Sequence, residues 1–179
     1  MDRQSFIKAT GIGFGASMIP GIGLGSTKET SPTETFSEDD LWVLGHKITL
    51  YKDSSGDFDL AIGVTPPNVP GPPPHYHETF DELFLVLEGK MEFMVGKKTI
   101  KASPGDMVDL PMETVHTFGN DGDKPCKWLN IHSPKGFSAF FEAFGVKATE
   151  TDALKKSVAE KVIGQVMQQA SQFDMIIME

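Results

Sequence analysis

From residue 41 to residue 132, apolar positions come in short runs, each closed by a glycine, proline, asparagine or aspartate. That pattern reads as a succession of short β-strands. Leu41 to Lys52 and Phe58 to Thr65 are predicted strands joined by Asp53-Ser54-Ser55-Gly56. Glu82 to Leu87, Met91 to Val95, Thr99 to Lys101, Met107 to Leu110, Thr114 to Phe118 and Cys126 to His132 follow. Between the two groups, Pro66 to Pro74 is so rich in proline that it is expected to form a stiff extended loop, neither helix nor central strand. Within Met91 to Val95, the residues Met91, Phe93 and Val95 share one face. Asp81 to Leu87 is apolar on both faces apart from Asp81 and Glu82 themselves, so this strand is expected to be covered twice. One face would pack inside a barrel and the other against an N-terminal strand or a second subunit, which makes a homodimer the expected assembly.

After Ser133-Pro134 the period changes. Phe137, Phe140, Phe141 and Phe144 recur at helical spacing and stop at Gly145, which predicts a short helix with one aromatic face. Leu154, Val158, Val162, Ile163, Val166 and Met167 predict a second amphipathic helix, with Thr151 and Asp152 as N-terminal caps. Both are assigned to closing the barrel or to the dimer contact. The order of elements therefore predicts an all-β sandwich or barrel with C-terminal helices.

With 179 residues, of which 39% are hydrophobic and 23% charged, the chain suits one globular domain. A net charge of −9 without a basic stripe argues against nucleic acid as a partner. The single cysteine, Cys126, can form no intrachain disulfide and is expected to be a small buried hydrophobe. At the N-terminus, the charged Asp2 to Lys8 is followed by a weakly apolar glycine-rich run from Ala9 to Gly25 and a polar stretch from Ser26 to Thr35. Arg3-Gln4-Ser5-Phe6-Ile7-Lys8 resembles a twin-arginine export signal in which Gln4 replaces the second arginine. The expected organisation is an export signal over residues 1–25, cleaved near Ser26, a linker over 26–35, a barrel over 36–133 and a helical extension over 134–179. A periplasmic location is expected, with the cytoplasm as the alternative if the degenerate signal is not used. The apolar run falls short of the roughly 20 strongly apolar residues of a membrane span.

The chemistry gathers in the middle of the chain. His75 and His77 are two apart, so on an extended strand both imidazoles leave the same face with Cα atoms about 7 Å apart. Glu82 lies far enough on to turn a corner and bring a carboxylate to the same point, and an antiparallel meander returns His116 beside them. Three imidazoles and one carboxylate make a borderline nitrogen and oxygen site for one divalent transition metal, with Fe, Mn, Ni, Co, Cu and Zn all admissible. His46 and His132 fall outside this pattern and read as strand histidines, although Trp128, Asn130 and His132 share a face that would form a polar wall if it points inward.

Gly71-Pro-Pro-Pro-His75-Tyr-His77, continued by Glu82 and Gly89, resembles the first motif of the cupins. Gly105, Pro111, His116 and Asn120 resemble the second. Two positions depart from the pattern. The first glycine stands closer to His75 than usual, with Val69 in its place, and Glu113 replaces a glycine. The resemblance extends over Phe36 to Ser133, and the following Ser133-Pro-Lys-Gly-Phe is similar to the tail of small bacterial cupins related to quercetin dioxygenases. It implies a double-stranded β-helix, or jelly-roll barrel, with His75, His77, Glu82 and His116 as metal ligands. By the same resemblance the reaction would be dioxygenation of a small aromatic or enolic compound, the metal binding substrate and dioxygen and Glu82 taking the substrate's proton. A non-catalytic metal or small-molecule binding cupin, or a cupin isomerase, are the alternatives. Strand alternation places Phe84, Val86, Phe93, Phe118 and Trp128 around the substrate pocket.

Overall fold

The computed structural model of the chain describes residues 39–52 and 55–178. Two antiparallel sheets face each other. The first runs in the order β12-β1-β2-β3-β11-β6-β9, built from β1 (Leu41–Val43), β2 (His46–Tyr51), β3 (Asp59–Thr65), β6 (Asp81–Glu88), β9 (Met107–Leu110), β11 (Cys126–Ser133) and β12 (Val146–Lys147). The second runs β13-β5-β10-β7-β8, from β5 (His75–Tyr76), β7 (Met91–Val95), β8 (Lys98–Ala102), β10 (His116–Asn120) and β13 (Ile176–Ile177), with β4 (Val69–Pro70) also paired to β10. This is the expected jelly-roll barrel.

Side-chain alternation explains why these strands take these faces. On β11, Cys126, Trp128, Asn130 and His132 are buried, whereas Lys127, Leu129 and Ile131 are half-buried on the outside. On β6 the inward residues are Glu82, Phe84 and Val86. The core between the sheets is a stack of aromatic rings, with Phe84 at 4.9 Å from Phe118, 5.0 Å from Trp128 and 5.2 Å from Phe93. Offset and edge-on packing of this kind adds to the burial of each ring. The β6–β7 turn needs Gly89: its φ is +75°, and a Cβ there would stand 2.4 Å from the Pro125 carbonyl oxygen.

The proline-rich segment forms neither helix nor central strand, as expected; Val69 and Pro70 add only a short edge pairing with Asn120 and Gly119 at the end of β10, where a missing N–H is tolerated. Three other expectations need correction. The single second helix is two, α2 (Ala153–Ser157) and α3 (Glu160–Gln169), broken where Ala159 adopts an extended backbone. Asp152 does not cap by its side chain; its φ of 57° puts it in the left-handed region. Of the predicted stripe only Val166 is fully buried, while Leu154, Val158, Ile163 and Met167 face solvent. The aromatic helix α1 (Ser138–Phe144) does bury Phe140, Phe141 and Phe144 against the barrel. The segment after residue 134 also supplies β12 and β13, one strand to each sheet. Among the described residues no helix is long and apolar enough to cross a membrane. Residues 1–25 and 26–35, the expected signal and linker, lie outside the described residues.

Candidate metal centre

Sheet register brings the ligand candidates together. Antiparallel pairing of β5 with β10 sets His75 opposite His116. His77 follows β5 on the same face, and β6 delivers Glu82 from the opposite sheet. The four donor atoms all lie within 4.8 Å of one another, and all four residues are buried. An ion bound at about 2.1 Å from each would hold its donors roughly 3–4 Å apart, so small side-chain adjustments suffice.

The hydrogen bonds around the cluster fix which nitrogen of each ring looks inward. His75 Nδ1 lies 2.8 Å from the Pro73 carbonyl, His116 Nδ1 2.8 Å from the Thr114 carbonyl, and His77 Nδ1 2.6 Å from the Asp174 carbonyl. A carbonyl only accepts, so each Nδ1 carries a hydrogen and each ring turns its Nε2 to the centre, where a neutral ring presents a lone pair. His116 Nε2 is 2.9 Å and His77 Nε2 3.6 Å from Glu82 Oε2. Those contacts are close but not aligned as hydrogen bonds, which leaves Nε2 of His77 and His116 and Oε2 of Glu82 buried without a hydrogen-bond partner. Buried acceptors pointing at one another are costly unless a cation lies between them, and the residues therefore fit a metal ion.

Glu82 sits at the junction of two polar groups. Its Oε1 accepts a hydrogen bond from Asn130 Nδ2 at 2.9 Å and lies 3.2 Å from His132 Nε2. Burial alone would push the Glu82 carboxyl up, but the imidazoles of His116, His132 and His77 hold it well below the usual carboxylate range. His75 is pushed down to about 3 by burial and by His116 beside it, against the pull of Glu82. For His116 burial acts downward as well, yet its contact with Glu82 outweighs burial and raises it.

Beside the cluster is a narrow cavity of about 40 Å³, lined by Glu82, His46, Asn130, Met175, Phe84, Phe118, Trp128 and the rings of Phe137, Phe140 and Phe141, among others. Of the pocket residues expected from alternation, Phe84, Phe118 and Trp128 line it. Val86 and Phe93 are fully buried in the core and are not among the lining residues. A wider surface groove of about 530 Å³ runs along β4, β7 and β10 but touches none of the four ligand candidates. His46 sits at the cavity wall, its Nδ1 3.0 Å from Thr65 Oγ1, which also accepts from Trp128 Nε1 at 2.9 Å. The inward face of Trp128, Asn130 and His132 makes the polar wall that alternation allowed. Asp174 carries no sequence signal, because the carbonyl it offers is common to every residue.

A double-stranded β-helix with a buried cluster of three histidines and one carboxylate able to hold an ion is thus the class of protein that fold and site define. Residues 62–132 match the family described as "Cupin domain", a match that supports a cupin-superfamily protein. It is 35% identical over 71 residues to quercetin 2,3-dioxygenase of Bacillus subtilis (strain 168); the match covers 40% of this chain and 21% of that enzyme, about a fifth of its length. Among solved structures it is similar to a cupin-superfamily sugar phosphate isomerase from Silicibacter pomeroyi, with 23% identity, 51% of this chain and 61% of that one covered, and a TM-score of 0.47. It is likewise similar to KdgF from a Halomonas species, with 22% identity, 51% and 80% covered, and a TM-score of 0.46.

Proposed function

We propose that this protein is a metal-dependent dioxygenase acting on a small aromatic or enolic compound. The observation that carries the reading is the convergence of three Nε2 lone pairs and the Glu82 carboxylate beside an apolar cavity. Likeness to a quercetin dioxygenase supports the choice of reaction. When bound, a divalent ion held by His75, His77, Glu82 and His116 would supply Lewis-acid and redox chemistry at this site.

The chain's own residues would do the rest. Glu82 starts ionised, as an acceptor of the substrate's hydroxyl proton must. A carboxylate held that low is a weak base, so proton uptake at Glu82 requires its contacts with the imidazoles to loosen as substrate enters. Asn130 keeps Oε1 oriented meanwhile, and His132 Nε2 stands 3.2 Å from the same oxygen. Phe84, Phe118 and Trp128 exclude water from the reacting groups.

Protein purified without oxygen and loaded in turn with Fe(II), Mn(II), Ni(II) and Co(II) tests this on an oxygen electrode with flavonols and catechols. Uptake with at least one metal and substrate is expected, together with its loss in Glu82→Gln protein that still carries stoichiometric metal. Tight metal binding with no uptake on any substrate would refute the dioxygenase and favour a non-catalytic binding module. The narrowness of the cavity favours that second reading. An isomerase of anionic sugars is disfavoured, because among the described residues no lysine or arginine lines the cavity to anchor a phosphate. Elemental analysis identifies the native ion.

The assembly is proposed to be a homodimer formed through the outer face of the larger sheet. Leu83 and Leu85 of β6 stand beside Leu129 and Ile131 of β11, and these in turn beside Ile62 and Leu60 of β3. Met107, 65% exposed, extends the same apolar strip opposite Leu85. Export through the degenerate signal is proposed as well. Whole, uncleaved chain in the cytoplasm of fractionated cells would count against it.

A further inference from the structure

The three imidazoles are anchored unequally. His75 and His116 each give their Nδ1 hydrogen to a carbonyl two residues earlier in the chain, so the local backbone sets those rings. His77 gives its hydrogen to Asp174, 97 positions away, and does so over the shortest of the three distances, 2.6 Å.

Asp174 is more than a source of one carbonyl. It follows the 3-10 turn Ala170–Phe173 and takes a left-handed backbone with φ of 59°, which turns the chain back over the barrel. Its carboxylate accepts hydrogen bonds from the backbone N–H of Glu78 at 3.1 Å and of Thr79 at 2.8 Å, and from Thr79 Oγ1 at 2.7 Å. These are the two residues after His77, so one aspartate grips the ligand loop by both main chain and side chain. Ile176 and Ile177 then pair with Tyr76 and His75, and Met178 N–H reaches the Pro74 carbonyl at 2.9 Å. Between these holds Met175 is buried to 1% exposure and lines the cavity with Glu82 and Phe84.

We propose that residues 174–178 form a strap that is a positioning element of the metal centre, with Asp174 setting the tautomer and direction of His77 and thereby the tightness with which the ion is held. The inference rests on reading the cluster as a metal site. Its physical basis is that an outer partner of a ligand histidine fixes the ring and raises its basicity, and losing such a partner typically weakens metal binding by about 10–100-fold. The strap's clasp is made on the exposed residues Glu78 and Thr79, where water competes, so the strap is the part of the centre most easily released.

Zn(II) is the probe. Its affinity is measured by competition with a chromophoric chelator for the full chain, a chain ending at Phe173, and the variants Asp174→Ala and Asp174→Asn. The shortened chain is expected to bind Zn(II) about 10–100-fold more weakly and Asp174→Ala several-fold more weakly. Asp174→Asn should stay within about twofold, since asparagine tolerates the left-handed backbone and keeps one oxygen acceptor. Nitrogen-15 spectra of the Zn-loaded full chain should show His77 protonated at Nδ1, a signal weakened or lost in Asp174→Ala while those of His75 and His116 persist. A shortened chain that melts cooperatively and binds Zn(II) as tightly as the full chain overturns the proposal. Should the shortened chain not fold, unchanged affinity and an unchanged His77 signal in Asp174→Ala overturn it instead. A full chain that takes up no Zn(II) defeats the metal reading, and this inference with it; equal binding by all four proteins defeats the strap alone.

Discussion

His46 offers a test of how the cavity wall is held neutral. The ring is 4% exposed and packs against Phe118 at 5.3 Å, and burial pushes it down from 6.5 to about 4 although the nearby Pro70 carbonyl pulls upward. In the unfolded chain the same ring takes a proton as the pH falls through about 6.5. Between these two values the unfolded state binds a proton that the folded state refuses, so stability falls with falling pH across that window. At about 1.4 kcal/mol per unit the full window of 6.5 − 4 = 2.5 units amounts to about 3 kcal/mol, of which about 2 kcal/mol is lost between pH 7 and pH 5. His46→Gln keeps a polar partner for Thr65 and removes the titration. Urea unfolding of metal-free wild type and variant at both pH values isolates the effect, because contributions from the other histidines cancel in the comparison. Wild type should lose about 2 kcal/mol more than His46→Gln on acidification. Parallel losses in the two proteins would refute the reasoning and mean that the ring is protonated, or hydrated, in the folded state.

Met175→Ala removes a fully buried side chain from the cavity wall and should cost about 2–5 kcal/mol in urea unfolding while enlarging the cavity beside Glu82; a cost under about 1 kcal/mol would mean that the strap does not pack there. Gly71→Ala would place a Cβ 1.6 Å from the Phe118 carbonyl oxygen, a clash with backbone that only movement of β4 or β10 relieves. That variant is expected to be insoluble or to melt far below wild type, and a normal melt would show that this edge is soft. Leu85→Glu, placed in the middle of the outer apolar strip, should convert the proposed dimer to monomer in light scattering without changing the fold by circular dichroism. A wild type that is already monomeric at high concentration would dispose of the dimer.

The ligand cluster was legible in the sequence because its members are tied to short-range geometry. Two of the histidines flank a single residue on an extended segment, and Glu82 follows within one corner. The barrel was legible for a related reason: inward and outward residues alternate on β7 and β11, and turn residues punctuate the strands. Where residues are satisfied by partners distant in sequence, the pattern gave less. Alternation put Asn130 and His132 on one face of β11, but their contact with Glu82 follows only from the pairing of β11 with β6, which sets His132 opposite Glu82. The break between α2 and α3 was hidden by an apolar stripe that continues through it, although the stripe stays largely in solvent. The role of Asp174 could not be read either, since both its carbonyl and its carboxylate act on a segment about 96 positions away, and only the path of the chain brings them together.

Charge balance joins these observations to the proposed chemistry. A divalent ion held by three neutral imidazoles and one carboxylate leaves a net charge of +2 − 1 = +1 at the centre, on the ligand set described above. Among the described residues that line the cavity Glu82 is the only acid, and it is already committed to the cluster. Burying an unbalanced charge against phenylalanine and tryptophan rings is unfavourable, so the site gains most from a ligand that arrives with, or acquires, one negative oxygen. On the proposed reading a phenol or enol that gives up its proton would satisfy this condition. A neutral sugar would not, and an anionic sugar phosphate brings more charge than the wall can solvate. On the proposed reading, therefore, an ion held by these four side chains would favour a ligand that presents a single negative oxygen.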